Sequence, residues 1–377
     1  MKALPEARPG PSGAGLGRYV TLDGMRGLAA IAVALFHFDI YLMPHGYVAV
    51  DFFFVLSGFV LYRSYLPRFR EGLGIGRFMV QRLARLYPLF LLGLLLGVLL
   101  AVQQLLAGDP KAPPAREVAA ALLFNGLMLP SPASLPLYPL NVPSWSLFFE
   151  IIANFALIVL LFRLPGWALA IICVVAAGGM VPIVVANGSG NIGALWNEHS
   201  IALMRTAFSF TLGIIIAMLP ERASPAMGGR GAAGEQGVGA RAPSWFGIVC
   251  IAAIGVLLAM PVLPEWSAAY DLSIILFFSP LLVFLGSRCE PVRFAAPLAA
   301  FTGEVSYALY AVHWSFIEPM RSAVRALRLQ PIPAAALFLA IMLVTSWAAV
   351  RWFDLPLRRR LTALLRREAP GVGPIGA

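Results

Sequence analysis

Long, predominantly apolar runs separated by short polar or basic connections cover most of this chain. They lie near residues 24–43, 47–66, 86–106, 144–163, 166–186, 201–219, 245–263, 268–286, 298–318 and 332–352. Each is close to the roughly 20 residues that a helix needs to cross a bilayer. The pattern predicts an all-α, polytopic membrane protein with about ten transmembrane helices. A shorter apolar piece, VAAALLFNGLMLP, sits in the Pro-rich stretch 108–141 and is too short to cross comfortably, so it is expected to be a re-entrant or surface helix on the outer side.

Composition narrows the class. With 60% hydrophobic and 12% charged residues, the chain is too apolar for a soluble domain. Its net charge of +10 would suit a nucleic-acid partner, but most arginines fall in short connections between apolar runs, where orientation in the membrane accounts for them. With the N-terminus cytoplasmic, one side collects Lys2, Arg8, Arg18, Arg26, the 63–85 cluster, Arg163, Arg222, Arg230, Arg241, Arg288, Arg293 and the basic tail 351–367. The other side holds only Lys111, Arg116, Arg321, Arg325 and Arg328. This places both termini on the cytoplasmic side of a cytoplasmic (inner) membrane.

Segment 1–18 is expected to be a disordered cytoplasmic N-terminus, 19–361 the membrane domain, 222–243 a flexible cytoplasmic linker within it, and 362–377 a cytoplasmic tail. The first apolar run is longer than a leader's apolar core and lacks a small-residue cleavage site, so it is expected to be retained. Cys173, Cys250 and Cys289 form no CxxC and have no His spaced to complete a metal site, so neither a disulfide framework nor a metal is expected. No internal repeat of the transporter kind is visible.

The ionisable residues inside the apolar runs carry the chemistry. Arg26 and His37 are separated by ten residues in the first run. At about 100° and 1.5 Å per residue they return to one helix face, roughly 16 Å apart along the axis. Groups of this kind at membrane depth cost on the order of 3 kcal/mol, so they mark a cavity or pathway. Asp51, near the outer end of the second run, is either a helix-start anion stabilised by the N-terminal dipole or an orienting partner for His37. Arg82 and Arg85, three apart, project from one face with Arg77 nearby. Such a cluster suits either cytoplasmic anchoring or bidentate capture of phosphates. Ser146 and Glu150 share a face at i and i+4, and Ser306, Tyr310 and His313 form a polar stripe on an apolar helix, as in a cavity wall. Arg205 either snorkels outward or pairs with an acid. His45 and His199 are expected in outer loops, with no role.

Taken in order, five segments resemble the acyltransferase 3 family of bacterial integral-membrane acyltransferases, which includes O-antigen, exopolysaccharide and other O-acetyltransferases. They are the Arg26/His37 pattern, DFFFVLSGF at 51–59, R-x-x-R at Arg82 and Arg85, PSWSLFFE ending at Glu150, and GEVSYALYAVHW ending at Trp314. The resemblance covers roughly 19–361. It implies transfer of an acyl group, usually acetyl, from cytoplasmic acyl-CoA to a hydroxyl of a carbohydrate or other envelope or secreted acceptor. It implies His37 as the essential histidine, and Arg26, Arg82 and Arg85 as holders of the CoA phosphates. Some family members carry a fused extracytoplasmic domain. This chain ends soon after DLPLRRRL, so hand-over to a second catalytic domain is expected to need a separate partner enzyme, if it occurs.

Acyl-CoA is anionic at one end and carries its thioester on a long neutral arm, which matches arginines at the inner surface and a histidine deeper in. His37 would serve either as general base toward the acceptor hydroxyl or as a nucleophile that carries the acyl group. Glu150 or Asp51 would orient its ring, and Ser146, Tyr310 or His313 would bind the acceptor or donate to the developing oxyanion. Membrane lipid is the implied surroundings and nucleic acid is not an expected partner. The rival classes are a transporter or flippase of a glycan or small molecule, whose intramembrane charges form a path without bond making, and a catalytically silent scaffold.

Overall fold

A computed structural model describes residues 18–156, 162–220 and 243–368. The expected disordered segment up to residue 17, residues 157–161 of the fourth predicted run, almost all of the 222–243 linker, and the end of the tail from 369 lie outside the described residues. The helices in chain order are α1 Val20–Phe38, α2 Ala49–Arg70, α3 Ile75–Leu106, α4 Ala115–Gly126, α5 Trp145–Ala156, α6 Gly166–Asn187, α7 His199–Met218, α8 Trp245–Ala259, α9 Pro264–Ser273, α10 Ser279–Gly286, α11 Ala296–Val312, α12 Trp314–Leu327, α13 Pro331–Ala348 and α14 Leu355–Glu368. Backbone polar groups have no water to bond in hydrocarbon, which is why so apolar a chain folds as helices. The strands Pro243–Ser244 and Glu290–Pro291 pair in parallel over two residues each, too little to alter the all-α class.

Seven helical segments among the described residues are long and apolar enough to cross a membrane, where ten runs were expected. They are α1, α2 and α7 with their leading turns, α3, α6, α9 continued into α10, and α13 continued into α14. The other three runs fall on shorter helices. α5 has 12 residues and leads toward 157–161, α8 has 15, and α11 has 17. α11 stops because the chain breaks at His313 and restarts as α12. The break frees carbonyls at the end of α11, and Asn141 Nδ2 donates to Ala311 O at 2.8 Å. α3 begins at Ile75 rather than at 86, so Arg77, Arg82 and Arg85 are helical residues. α4 is the short helix expected between 108 and 141.

Chain direction follows from the contacts. Gly24 and Gly27 of α1 approach Ala299 and Thr302 of α11, and further along His37 meets His313, so α1 and α11 run parallel. α3 runs with them, since Tyr307 Oη donates to Leu86 O at 2.6 Å and Gly93 lies against Ala311 O. Arg26, Arg82 and Arg85 therefore share one end of the bundle, the basic end, while His37 and His313 lie toward the other.

α2 and α7 cross with their backbones in contact. A Cβ at Gly58 would lie 2.1 Å from Phe210 O, and one at Gly213 would lie 2.1 Å from Val55 O. Such approach lets packing hold helices together where no hydrophobic effect acts between them and lipid. Gly213→Val should destabilise the protein by about 1–3 kcal/mol or more, because the clash is with backbone that cannot swing aside. The midpoint of thermal unfolding in detergent measures this, and a native midpoint would show that the crossing relaxes freely.

Candidate active site

At the basic end, helix periodicity brings the cations together. Arg82 and Arg85 lie three apart on α3, and Arg26 lies on the first half of α1. Arg26 donates from Nε to Ser306 Oγ at 3.0 Å and from a terminal nitrogen to Gly303 O at 2.7 Å, and it forms an ion pair with Asp23 at 3.0 Å. Arg82 donates to Glu150 Oε1 at 3.0 Å, which also accepts from Ser57 Oγ at 3.0 Å. Arg82 is buried, and its Nε has no partner among the described residues. Arg85 lies within electrostatic range of Arg82, Arg26 and Arg358, and no described residue gives it a hydrogen bond or ion pair. A half-buried guanidinium beside like charges, with Glu150 already taken by Arg82, makes a site for an anion.

Halfway along the bundle, Ser146 Oγ and Tyr310 Oη share a hydrogen bond of 2.7 Å, and Tyr310 also donates to Pro143 O at 2.7 Å. The i, i+4 spacing of Ser146 and Glu150 on α5 thus reaches two levels, Tyr310 above and Arg82 below.

His37 Nδ1 lies 3.0 Å from His313 Nε2, with the rings stacked at 24°. The tautomers follow from the surroundings. His313 Nδ1 faces Tyr310 O at 2.9 Å and Leu309 O at 3.1 Å, and a nitrogen among carbonyls must carry the proton. His313 Nε2 is then an acceptor, so His37 Nδ1 donates to it, a choice that the nearby Val33 carbonyl also favours. This leaves His37 Nε2 with its lone pair, unbonded among the described residues. Arg321 of α12 fixes the backbone beneath, donating to His37 O and Phe38 O at 2.9 Å each and so satisfying the end of α1.

His37 opens into a cavity of about 100 Å³ that is shared with Tyr47, Trp145, Glu198, Arg205 and Tyr310. Its walls come from α1, α2, α7 and α11 and from the segments 142–145 and 191–198, and none of Arg26, Arg82 or Arg85 lines it. Tyr310 and Pro143 belong both to the cavity and to the polar level below.

Several expectations need correction. Neither Asp51 nor Glu150 bonds the His37 ring, which is held by His313. Asp51 is fully buried and pairs through both oxygens with Arg205, which also donates to Gly190 O and Ile192 O. Glu150 is held at the basic end by Arg82 and Ser57. His313 has both ring nitrogens engaged and no exposure, which leaves none for an acceptor. His45 is not a solvated loop residue: it is buried, with Nδ1 2.6 Å from Asp271, which also accepts from Tyr47 Oη and Gly190 N at 2.7 Å each. An acid inside the 268–286 run was the overlooked signal. His199 is exposed, as expected of it. The three cysteines are free, and no group of three or more His, Cys, Asp or Glu side chains among the described residues is placed to hold a metal.

A family model described as an acyltransferase domain matches residues 19–351. Protein 2 in the picA locus of Rhizobium radiobacter is 37% identical over 36% of this chain and 79% of its own length. The peptidoglycan O-acetyltransferase OatA of Listeria monocytogenes is 36% identical over 19% of this chain, and the putative peptidoglycan O-acetyltransferase YrhL of Bacillus subtilis is 35% identical over 19%. The match spans only 12% of the length of each of these two relatives. No solved structure matches the chain.

The Asp51–Arg205 pair anchors the cavity wall, because the same guanidinium holds Gly190 and Ile192. Asp51→Ala should cost about 3–5 kcal/mol, the penalty for stranding a buried charge, while Asp51→Glu retains part of the pairing. Chemical denaturation of the two variants in detergent checks the order; equal stability of Asp51→Ala and the native protein would mean that water solvates Arg205.

Proposed function

This chain belongs to the acyltransferase 3 family, and we propose that it moves an acyl group, acetyl in the first instance, from cytoplasmic acyl-CoA to a hydroxyl of a carbohydrate acceptor presented at the opposite face of the inner membrane. Membership makes it a multi-pass membrane acyltransferase. The observation that carries the finer reading is the pairing of an unbonded His37 Nε2, facing a cavity, with a cluster of arginines at the other end of the same helix.

The acceptor hydroxyl enters the cavity from the loop side and gives its proton to His37 Nε2 while its oxygen attacks the thioester carbonyl. As the C–O bond forms, the C–S bond breaks, and the imidazolium returns the proton to the departing CoA thiolate. His313 acts as a positioning residue that keeps the basic nitrogen turned toward the cavity. Arg26, Arg82 and Arg85 hold the phosphates at the cytoplasmic surface. The rise of roughly 16 Å between Arg26 and His37 is a distance that the neutral arm of CoA can span. On this reading the Ser146–Tyr310 pair stands across the route of the arm. Its hydroxyls turn from each other and Pro143 O toward the thioester oxygen when the arm is present. The O-acetyltransferase names of two relatives support transfer to oxygen, and their acceptor, peptidoglycan, is one carbohydrate to test here.

Cells carrying the native protein, His37→Ala, or no copy should differ by one acyl mass increment on an envelope glycan or secreted product, present only with the native protein. Loss of a general base lowers the rate by about 100- to 10,000-fold, so the increment should vanish in His37→Ala at normal membrane levels of protein. Full acylation by that variant would remove His37 from the chemistry. An increment that does not depend on acyl-CoA in membrane vesicles would remove the donor.

A further inference from the structure

The family match ends at residue 351, yet the chain beyond it returns to the basic end of the bundle. Residues Ala349–Asp354 form a π-helical turn between α13 and α14, closed by a bond from Leu355 N–H to Val350 O. The added residue in such a turn rotates all that follows by about 100° and is frequent at functional sites. It leaves Asp354 2% exposed, and Arg358, four residues on, lies on the same face. Arg358 forms a two-pronged ion pair with Asp354, Nε to Oδ1 at 2.8 Å and a terminal nitrogen to Oδ2 at 2.7 Å.

An exposed i, i+4 pair on a helix adds little to stability and needs no further purpose. This pair is partly buried among other charges. Arg358 and Asp354 both act electrostatically on Arg85, and both act on Tyr307 of α11, which also feels Glu150 and Arg82. Three carboxylates at this end are engaged by arginines: Asp23 with Arg18 and Arg26, Glu150 with Arg82, and Asp354 with Arg358. Arg85 is left to a ligand. Adding a further guanidinium to an already cationic cluster costs repulsion, and a ligand carrying several negative charges offsets it.

We propose that Arg358 is a ligand-binding residue for the nucleotide phosphates of the donor, sharing them with Arg85, and that Asp354 is the counterion that holds Arg358 in position while the pocket is empty. This rests on the reading of the donor as acyl-CoA. Phosphate binding draws the guanidinium from the carboxylate toward Arg85, so Asp354 competes with the ligand. The two partners then have opposite effects, which a purely structural ion pair cannot have.

Equilibrium binding of radiolabelled CoA to the purified full-length protein in detergent tests this, with pantetheine, which lacks phosphate, and vesicles containing phosphatidylglycerol as competing probes. Arg358→Ala should weaken CoA binding by about tenfold or more, the scale of a charge-assisted hydrogen bond, and leave competition by pantetheine unchanged. Asp354→Asn should bind CoA as tightly as the native protein or more tightly. If Arg358→Ala folds poorly, Arg358→Gln, which keeps the side-chain bulk, carries the same expectation. Equal weakening in Arg358→Ala and Asp354→Asn would reduce the pair to a structural tie and overturn the proposal. So would unchanged CoA binding in Arg358→Ala, or an effect confined to displacement by phosphatidylglycerol, which would assign the site to a lipid headgroup. Absence of CoA binding by the native protein would remove the donor reading itself, a separate failure.

Discussion

The hydrogen bond between His37 and His313 decides what the rest of the site can do. An imidazole has two nitrogens with opposite roles when neutral, and which one is basic depends on what the other touches. Here the choice is made two steps away, by the carbonyls of Tyr310 and Leu309 where α11 breaks. Those carbonyls fix the proton on His313 Nδ1, His313 fixes the proton on His37 Nδ1, and the remaining lone pair faces the cavity. The Leu309 carbonyl also accepts His313 N–H at 3.1 Å, as in a regular helix, whereas a continuous helix through His313 would offer the Tyr310 carbonyl to the next amide N–H as well. The interruption that spoils α11 as a straight span therefore leaves the Tyr310 carbonyl to His313 Nδ1, and through it bears on the tautomer of the residue on α1.

The buried polar groups elsewhere obey the same constraint, since a polar or charged group away from water must find its partner inside the protein. Asp51 with Arg205, and Asp271 with His45, Tyr47 and Gly190, join α2, α7, α9 and the loop at 188–198. The backbone of that loop is gripped from two sides, carbonyls by Arg205 and an N–H by Asp271. Tyr138, outside the spans, is similarly placed: its hydroxyl donates to Met128 O at 2.7 Å, and burial pushes its phenol up from the ordinary range. The ion pairs at this end build the cavity wall, while Arg85, to which no described residue gives an ion pair, lies at the basic end.

What could be read from the chain was whatever depends on spacing within one helix. The apolar runs marked the helices because length and hydropathy alone decide which segments suit a bilayer. The eleven-residue step put Arg26 and His37 on one face, and the three-residue step did the same for Arg82 and Arg85. Contacts between helices were not legible. Spacing leaves Asp51 open between a helix-start anion and a partner for His37, because its actual partner Arg205 lies 154 residues away. Nothing in the helix of His313 shows that it lies 3.0 Å from a residue 276 positions earlier, so a position on a cavity wall is all that its spacing suggests. The π turn at Ala349–Asp354 was equally hidden, since apolar periodicity does not reveal one added residue.

The division of the polar groups into two levels bears on how two substrates of opposite character are kept apart. The arginines at the basic end outnumber the carboxylates that engage them and can take an anion, whereas none of these arginines lines the His37 cavity. Tyr310 belongs to both levels, bonded to Ser146 and to Pro143, itself a cavity residue, and facing the cavity. A site in which thioester and water met freely would lose the acyl group to hydrolysis, and excluding water until the acceptor is in place is one of the tasks of a closed active site. On the proposed reading, a hydrogen-bonded tyrosine between the two levels would meet that need at small cost. Its bonds to Ser146 and Pro143 would be exchanged for bonds to the arriving carbonyl, so that no buried hydroxyl is left unsatisfied.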